Sequence, residues 1–232
     1  IYEGLRKLPP GCLLELSREQ PEPRLECYWS TANLAAAAAA RGFKGDDTAA
    51  IDELETYLTA SIRRQMVADV PVGAFLSGGV DSSVIVALMQ RVSPRPVRSF
   101  TIGFANDALD ESPHARAVAA HIGTEHTELI VTPRDVLDLV PRIPSIYTEP
   151  FADSSQLPTC LLSQLTHSHV TVALSGDCGD ELFGGYNRYS ATARLWPRLR
   201  YLPPLARRLL SRTLLCVPAL AWGPGLRADR PG

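Results

Sequence analysis

The sequence lacks any long hydrophobic run. Its longest apolar stretch near the end, Leu214 to Trp222, is broken by Pro218 and is far too short to span a bilayer. Net charge is nearly absent as well, at −2 over 232 residues. No bulk attraction to nucleic acid or to an anionic membrane follows from that balance, so any phosphate must be bound by local groups. Cysteine is scarce: Cys12, Cys27, Cys160, Cys178 and Cys216 are an odd set with no C-x-x-C pair. Neither a disulfide framework nor a zinc site fits that spacing, and a reducing cytoplasm is the simplest setting. No signal-peptide pattern follows Ile1, and the missing initiator Met suggests a piece of a longer chain.

What is present is an ordinary globular balance, 45% hydrophobic and 21% charged, enough for one α/β domain with a sizeable core. Residues 1–30 hold scattered β-like pieces such as Cys12 to Leu16, broken by Pro9, Pro10, Pro21 and Pro23. The alanine-rich stretch 31–50 suits helix or linker and is read as a connection. Ile51, Leu54, Leu58, Ile62 and Met66 recur at helical spacing. Asp52, Glu53 and Glu55 fall in the first turn expected for that helix, and Arg63 and Arg64 in its last, an order that complements the helix dipole. Strands are then expected over 71–76, 97–104, 125–131 and 170–174. Helices are expected between them over 82–90, 112–122, 133–146 (interrupted by Pro141 and Pro144) and 157–166. Strands alternating with helices predict an α/β fold whose parallel sheet is flanked by helices. In such sheets ligands bind beyond the carboxyl ends of the strands. Arg207, Arg208 and Arg212 fit one solvated face of a helix, and 223–232 shows no packing pattern and reads as disordered.

The first expected strand runs into Leu76-Ser77-Gly78-Gly79-Val80-Asp81-Ser82-Ser83. Two glycines let the backbone approach a ligand closely, and consecutive N–H groups at a helix start form an anion nest. Serine hydroxyls donate to phosphate oxygens, whereas an ionised Asp81 only accepts. An acid among phosphate-binding groups makes sense where a Mg²⁺ ion bridges them. The plainer alternative is a tight Gly-Gly turn in which Asp81 or Ser82 caps the helix. The loop lacks the lysine of a Walker A sequence, which suits pyrophosphate as a leaving group better than γ-phosphoryl transfer.

The last expected strand ends in Ser175-Gly176-Asp177-Cys178-Gly179-Asp180-Glu181-Leu182-Phe183-Gly184-Gly185-Tyr186. Three acids within five residues repel unless a cation or hydrogen-bond donors compensate. A solvated acidic loop capping a helix is the alternative; the apolar strand before the acids and the glycines around them weigh against it.

SGGVDSS followed by SGDCGDELFGGYNRY resembles the synthetase domain of the glutamine-dependent asparagine synthetases. IYEGLRKLPPG, VPVGAFL, SFTIGF and EPFADSSQLPT match in order, so the resemblance covers about residues 1–200 and fades after Leu202. It implies an adenine nucleotide alpha hydrolase-like fold of the PP-loop ATP pyrophosphatase type. It also implies that 1–30 is the end of a glutaminase domain and its junction, and 31–50 a linker. On the same ground 51–200 is the truncated synthetase domain, and 201–232 an incomplete helical part and tail. The implied reaction adenylates aspartate with ATP and releases pyrophosphate. Ammonia from glutamine then attacks the aspartyl-AMP, with no nucleic-acid or membrane partner and a homodimer as an allowed assembly of the full-length protein. By that resemblance Leu76, Ser77, Gly78, Gly79, Asp81, Ser82, Ile102, Ser175 and Gly176 bind ATP. Asp81 and Asp180 hold Mg²⁺, while Asp177 and Asp180 serve the chemistry. Asp177 stands where many members carry Glu, which leaves the acceptor open to a β-lactam synthetase-like or peptide-modifying alternative. A non-catalytic nucleotide-binding remnant is the alternative of a different class.

Overall fold

The computed structural model describes residues 3–104, 110–149, 153 and 155–216. The chain divides into two compact units, one of residues 1–57 and 142–152, the other of residues 58–141 and 153–232.

The first unit opens with two short strands, β1 (Cys12–Glu15) and β2 (Arg24–Cys27), paired antiparallel with Cys12 opposite Cys27. Their ladder continues into the Tyr28 and Trp29 N–H groups, which both donate to the Gly11 carbonyl. The alanine-rich stretch, open to either reading from its composition, is helical over α1 (Thr31–Arg41), with the Ser30 side chain capping Asn33 N–H. No residue of α1 is buried. Next comes α2 (Asp47–Gln65), which begins a turn earlier than its apolar spacing predicts because the Asp46 carboxylate caps Ala49. The first-turn acid is therefore Asp47, and Asp52, Glu53 and Glu55 sit further along; Arg63 and Arg64 do close the last turn. The boundary between the units falls inside α2, after Tyr57.

The second unit is the expected α/β domain. In chain order it contains β3 (Val72–Phe75), α3 (Val80–Val92), β4 (Arg98–Phe104), α4 (Ser112–Ile122) and β5 (Glu125–Val131). The helix expected over 133–146 with interruptions at Pro141 and Pro144 forms as three pieces: α5 (Pro133–Leu139), a 3₁₀ turn (Val140–Arg142) and α6 (Ile143–Ile146), the last within the first unit. Pro141 and Pro144 lack the N–H groups that would continue one helix. Then come α7 (Gln156–His167), β6 (Val172–Leu174), α8 (Gly179–Phe183), α9 (Asn187–Leu199) and α10 (Pro204–Cys216). Part of the EPFADSSQLPT segment, 150–152 and 154, and the tail 223–232 lie outside the described residues.

The four long-range strands form one parallel sheet in the order β5-β4-β3-β6. The chain adds β4 and then β5 on one side of β3 and returns to place β6 on the other. The order therefore reverses between β3 and β6, which makes the carboxyl ends of those two strands the topological switch point. Behind them lies the core: Ala74 and Leu76 from β3 and its end, Val86 and Met89 from α3, and Ala115 and Ala119 from α4. Phe100 at the centre of β4 is 1% exposed. Burial at helical spacing on one face of α3 and α4 and at successive positions of β3 is what holds both helices against the sheet. Among the described residues no helix is long and apolar enough to cross a membrane.

Candidate functional site

Both Ser-Gly turns emerge at that switch point. Leu76, buried, closes β3 and donates its N–H to the Phe100 carbonyl of β4 at 2.9 Å. Ile102, half-buried, lies further along β4 at the same edge. After Leu76 the chain turns through Gly78, whose φ is +85°. A Cβ at Gly78 would also lie 2.7 Å from the Ala115 N atom and 2.8 Å from the His114 carbonyl carbon. Only glycine satisfies both constraints, and the loop thereby rests on the first turn of α4.

The serines of this loop are bonded mostly to the loop itself. The Ser82 hydroxyl accepts the Ser77 N–H at 3.2 Å, lies 3.0 Å from the Ser77 hydroxyl and donates to the Gly79 carbonyl at 3.3 Å. The Ser77 hydroxyl accepts the Gly79 N–H, and the Ser83 hydroxyl donates to the Gly79 carbonyl at 2.6 Å. These bonds pre-shape the turn. Gly79 is the N-cap of α3 and no side chain caps that end. The alternative in which Asp81 or Ser82 serves as the cap is therefore not what forms. The first N–H groups of α3, from Val80, Asp81 and Ser82, have no acceptor within the helix and carry its positive end.

The second turn packs directly on the first. A Cβ at Gly176 would lie 2.7 Å from Ser82 N and 2.9 Å from the Asp81 carbonyl carbon. A Cβ at Gly179 would meet the Asp81 carboxylate, with Oδ2 at 2.5 Å. The Asp81 side chain is thus seated against the residue that precedes Asp180. Among the described residues neither carboxylate takes part in a hydrogen bond or an ion pair. Asp177 differs from them in having a partner: its carboxylate accepts the Ser175 hydroxyl at 2.9 Å and folds back on its own strand end.

Some participants carry no obvious signal in the sequence. His114 and Ala115, more than thirty positions from Gly78, form the floor under it. Gly185 adjoins the Asp180 carboxylate, and its N–H donates to the Asp180 carbonyl at 3.0 Å. Tyr186 closes this turn by donating its hydroxyl to Glu181 Oε1 at 2.7 Å, with the Arg188 guanidinium 4.0 Å above its ring. The bond to Glu181 is the main reason the Tyr186 hydroxyl is pushed up to about 12, and it holds Glu181 below the usual carboxylate range. Cys178 adopts φ +71°, a left-handed conformation unusual for a residue with a Cβ.

An α/β domain with two glycine-bearing turns and two unpaired carboxylates at its switch point belongs to the class of open parallel-sheet proteins whose candidate ligand site lies at the strand ends. The Asparagine synthase family profile matches residues 53–228, well past Leu202, and the chain belongs to that family. A protein of Mycobacterium bovis provisionally named glutamine-hydrolyzing asparagine synthetase is 35% identical over 97% of this chain and 34% of its own. The glutamine-hydrolyzing asparagine synthetase 1 of Bacillus subtilis is 36% identical over 69% of this chain and 25% of its own. Among solved structures, an NH3-dependent NAD synthetase from Campylobacter jejuni matches at 18% identity, 59% of this chain and 60% of that one, with a TM-score of 0.40. The chain spans about a third of the length of the curated relatives it matches, 34% for the first of them.

Proposed function

We propose that this chain supplies the ATP site of an enzyme that converts aspartate to asparagine through a β-aspartyl-AMP intermediate. The observation that carries this reading is the seating of Asp81 against Gly179, beside Asp180, where two Ser-Gly turns meet at the switch point. In this reading the N-terminal N–H groups of α3 and the backbone of 77–79 hold the pyrophosphate portion of ATP. Leu76 and Ile102 contact the nucleotide, and Ser175 and Gly176 continue its site. Two half-buried carboxylates with no other partner are a donor set suited to a hard cation, so Asp81 and Asp180 are the residues that would hold Mg²⁺. When bound, the ion neutralises charge on the departing pyrophosphate.

The substrate carboxylate attacks the α-phosphorus and pyrophosphate leaves. Preorganised N–H groups at the loop stabilise its charge without reorganising. Ammonia then attacks the acyl carbon and AMP departs; in the whole protein that ammonia comes from glutamine hydrolysed in a separate N-terminal domain. Asp177 is assigned to the intermediate, with a reach one methylene shorter than Glu would have. Calorimetry with Mg·ATP tests the site: Asp81→Asn is expected to weaken binding at least about tenfold. Equal binding by wild type and variant would remove Asp81 from it. Aspartate-dependent exchange of pyrophosphate into ATP by the whole protein tests the acceptor, and exchange that ignores aspartate sinks that assignment.

A further inference from the structure

Cys12 and Cys27 look unrelated in the sequence, yet β1 and β2 place them directly opposite each other. Directly opposed residues of antiparallel strands have Cα atoms about 4.5–5.5 Å apart, within the roughly 4.4–6.8 Å that a disulfide spans. Their side chains leave the sheet on the same face. Both are free thiols, Cys27 exposed and Cys12 half-buried. Each donates only a weak bond to a backbone carbonyl, Cys12 to Pro10 at 3.7 Å and Cys27 to Trp29 at 3.3 Å. Burial, and after it the neighbouring Cys27 thiol, raise the Cys12 thiol above its ordinary value. Cys160 is buried in α7 and Cys178 sits in the second Ser-Gly turn; neither stands in register with another cysteine.

We propose that Cys12 and Cys27 are a cross-strand dithiol that a low-molecular-weight disulfide oxidises to an intramolecular bridge. The exposed Cys27 thiolate attacks one sulfur of the reagent, forming a mixed disulfide and releasing one small thiolate. The Cys12 thiolate then attacks the Cys27 sulfur, and the second small thiolate leaves. The protein dithiol loses two electrons and two protons, and the reagent is reduced to two thiols. The bridge closes the segment 13–26 and staples a two-stranded sheet, an element that is marginal by itself.

The test uses the full chain incubated with oxidised glutathione, then alkylated and digested with trypsin without reductant. The expected result is one linked pair, peptides 8–18 and 25–41, and a protein mass lower by two hydrogens. Cys12→Ser and Cys27→Ser each abolish the link, whereas Cys178→Ser leaves it intact. Recovery of the two peptides separately, each alkylated or carrying glutathione, overturns the proposal. So does linkage of either peptide to Cys160, Cys178 or Cys216. Amide exchange over β1 and β2 supplies a second readout: oxidation is expected to slow it, and unchanged exchange in the bridged protein would deny the bridge its stapling role.

Discussion

Gly78 and Gly79 are adjacent and identical in type, but they face different constraints. Gly78 combines φ +85° with backbone atoms of α4 under 3 Å from where a Cβ would stand. Gly79 has φ −69°, and its Cβ would meet only the Ser77 hydroxyl, at 3.3 Å. Gly78→Ala is therefore expected to cost about 2–4 kcal/mol in urea unfolding, from left-handed strain plus overpacking. Gly79→Ala is expected to cost under about 1 kcal/mol, since its neighbour is a movable side chain. Equal costs would mean that the loop does not rest on α4. Cys178 presents the reverse case, a side chain where glycine would be at ease, and Cys178→Gly is expected to stabilise the chain by about 1 kcal/mol in the same assay. Composition alone shows that glycines crowd both turns. Which glycine is indispensable depends on contacts with residues such as Ala115 and Ser82, which chain spacing does not reveal.

Among the elements, α5 has the most clearly written start. The Thr132 hydroxyl and N–H both donate to the Asp135 carboxylate, at 2.6 and 2.8 Å, and the Asp135 N–H donates back to the hydroxyl at 3.3 Å. The Thr132 hydroxyl, then its N–H, hold Asp135 below its ordinary value of 3.8. The folded state thus binds the Asp135 proton less tightly than the unfolded chain does. The stability this lends is present above about pH 3.8 and is lost as pH falls through the lower folded value. Thr132→Ala is expected to lower Tm by about 3 °C at pH 7. The deficit should shrink as acid protonates Asp135 in both proteins; a deficit constant with pH would show that the carboxylate plays no part in the cap. The strands were legible because short β-rich runs bounded by Gly and Pro are distinctive, and 125–131 coincides with β5 residue for residue. The breaks at 133–146 were announced by Pro141 and Pro144, but the ends of α2 were less legible. A cap such as Asp46 acts on hydrogen bonds that periodicity ignores.

At the scale of the whole molecule, the two units differ in how they are held. The α/β unit has a core of side chains from β3, α3, β4 and α4. Every residue of β1 and β2 except Cys12 is exposed, and α1 buries nothing. Hydrogen exchange followed by mass spectrometry is expected to find β3 and β4 the most protected strands, with β1 and β2 of the reduced chain exchanging close to the unfolded rate. Strong protection of β1 and β2 would contradict this ranking. The sequence by itself determined the alternation of strands and helices, the parallel class of the sheet and the two Ser-Gly turns, because periodicity and turn chemistry are local properties. It also carried the family resemblance, because those turns are long and specific. Tertiary structure decided that β6 returns beside β3, so that Gly179 meets Asp81, and that Cys12 stands opposite Cys27. Strand order and register are set by how distant segments bury their faces together, and no local pattern in the chain encodes that pairing.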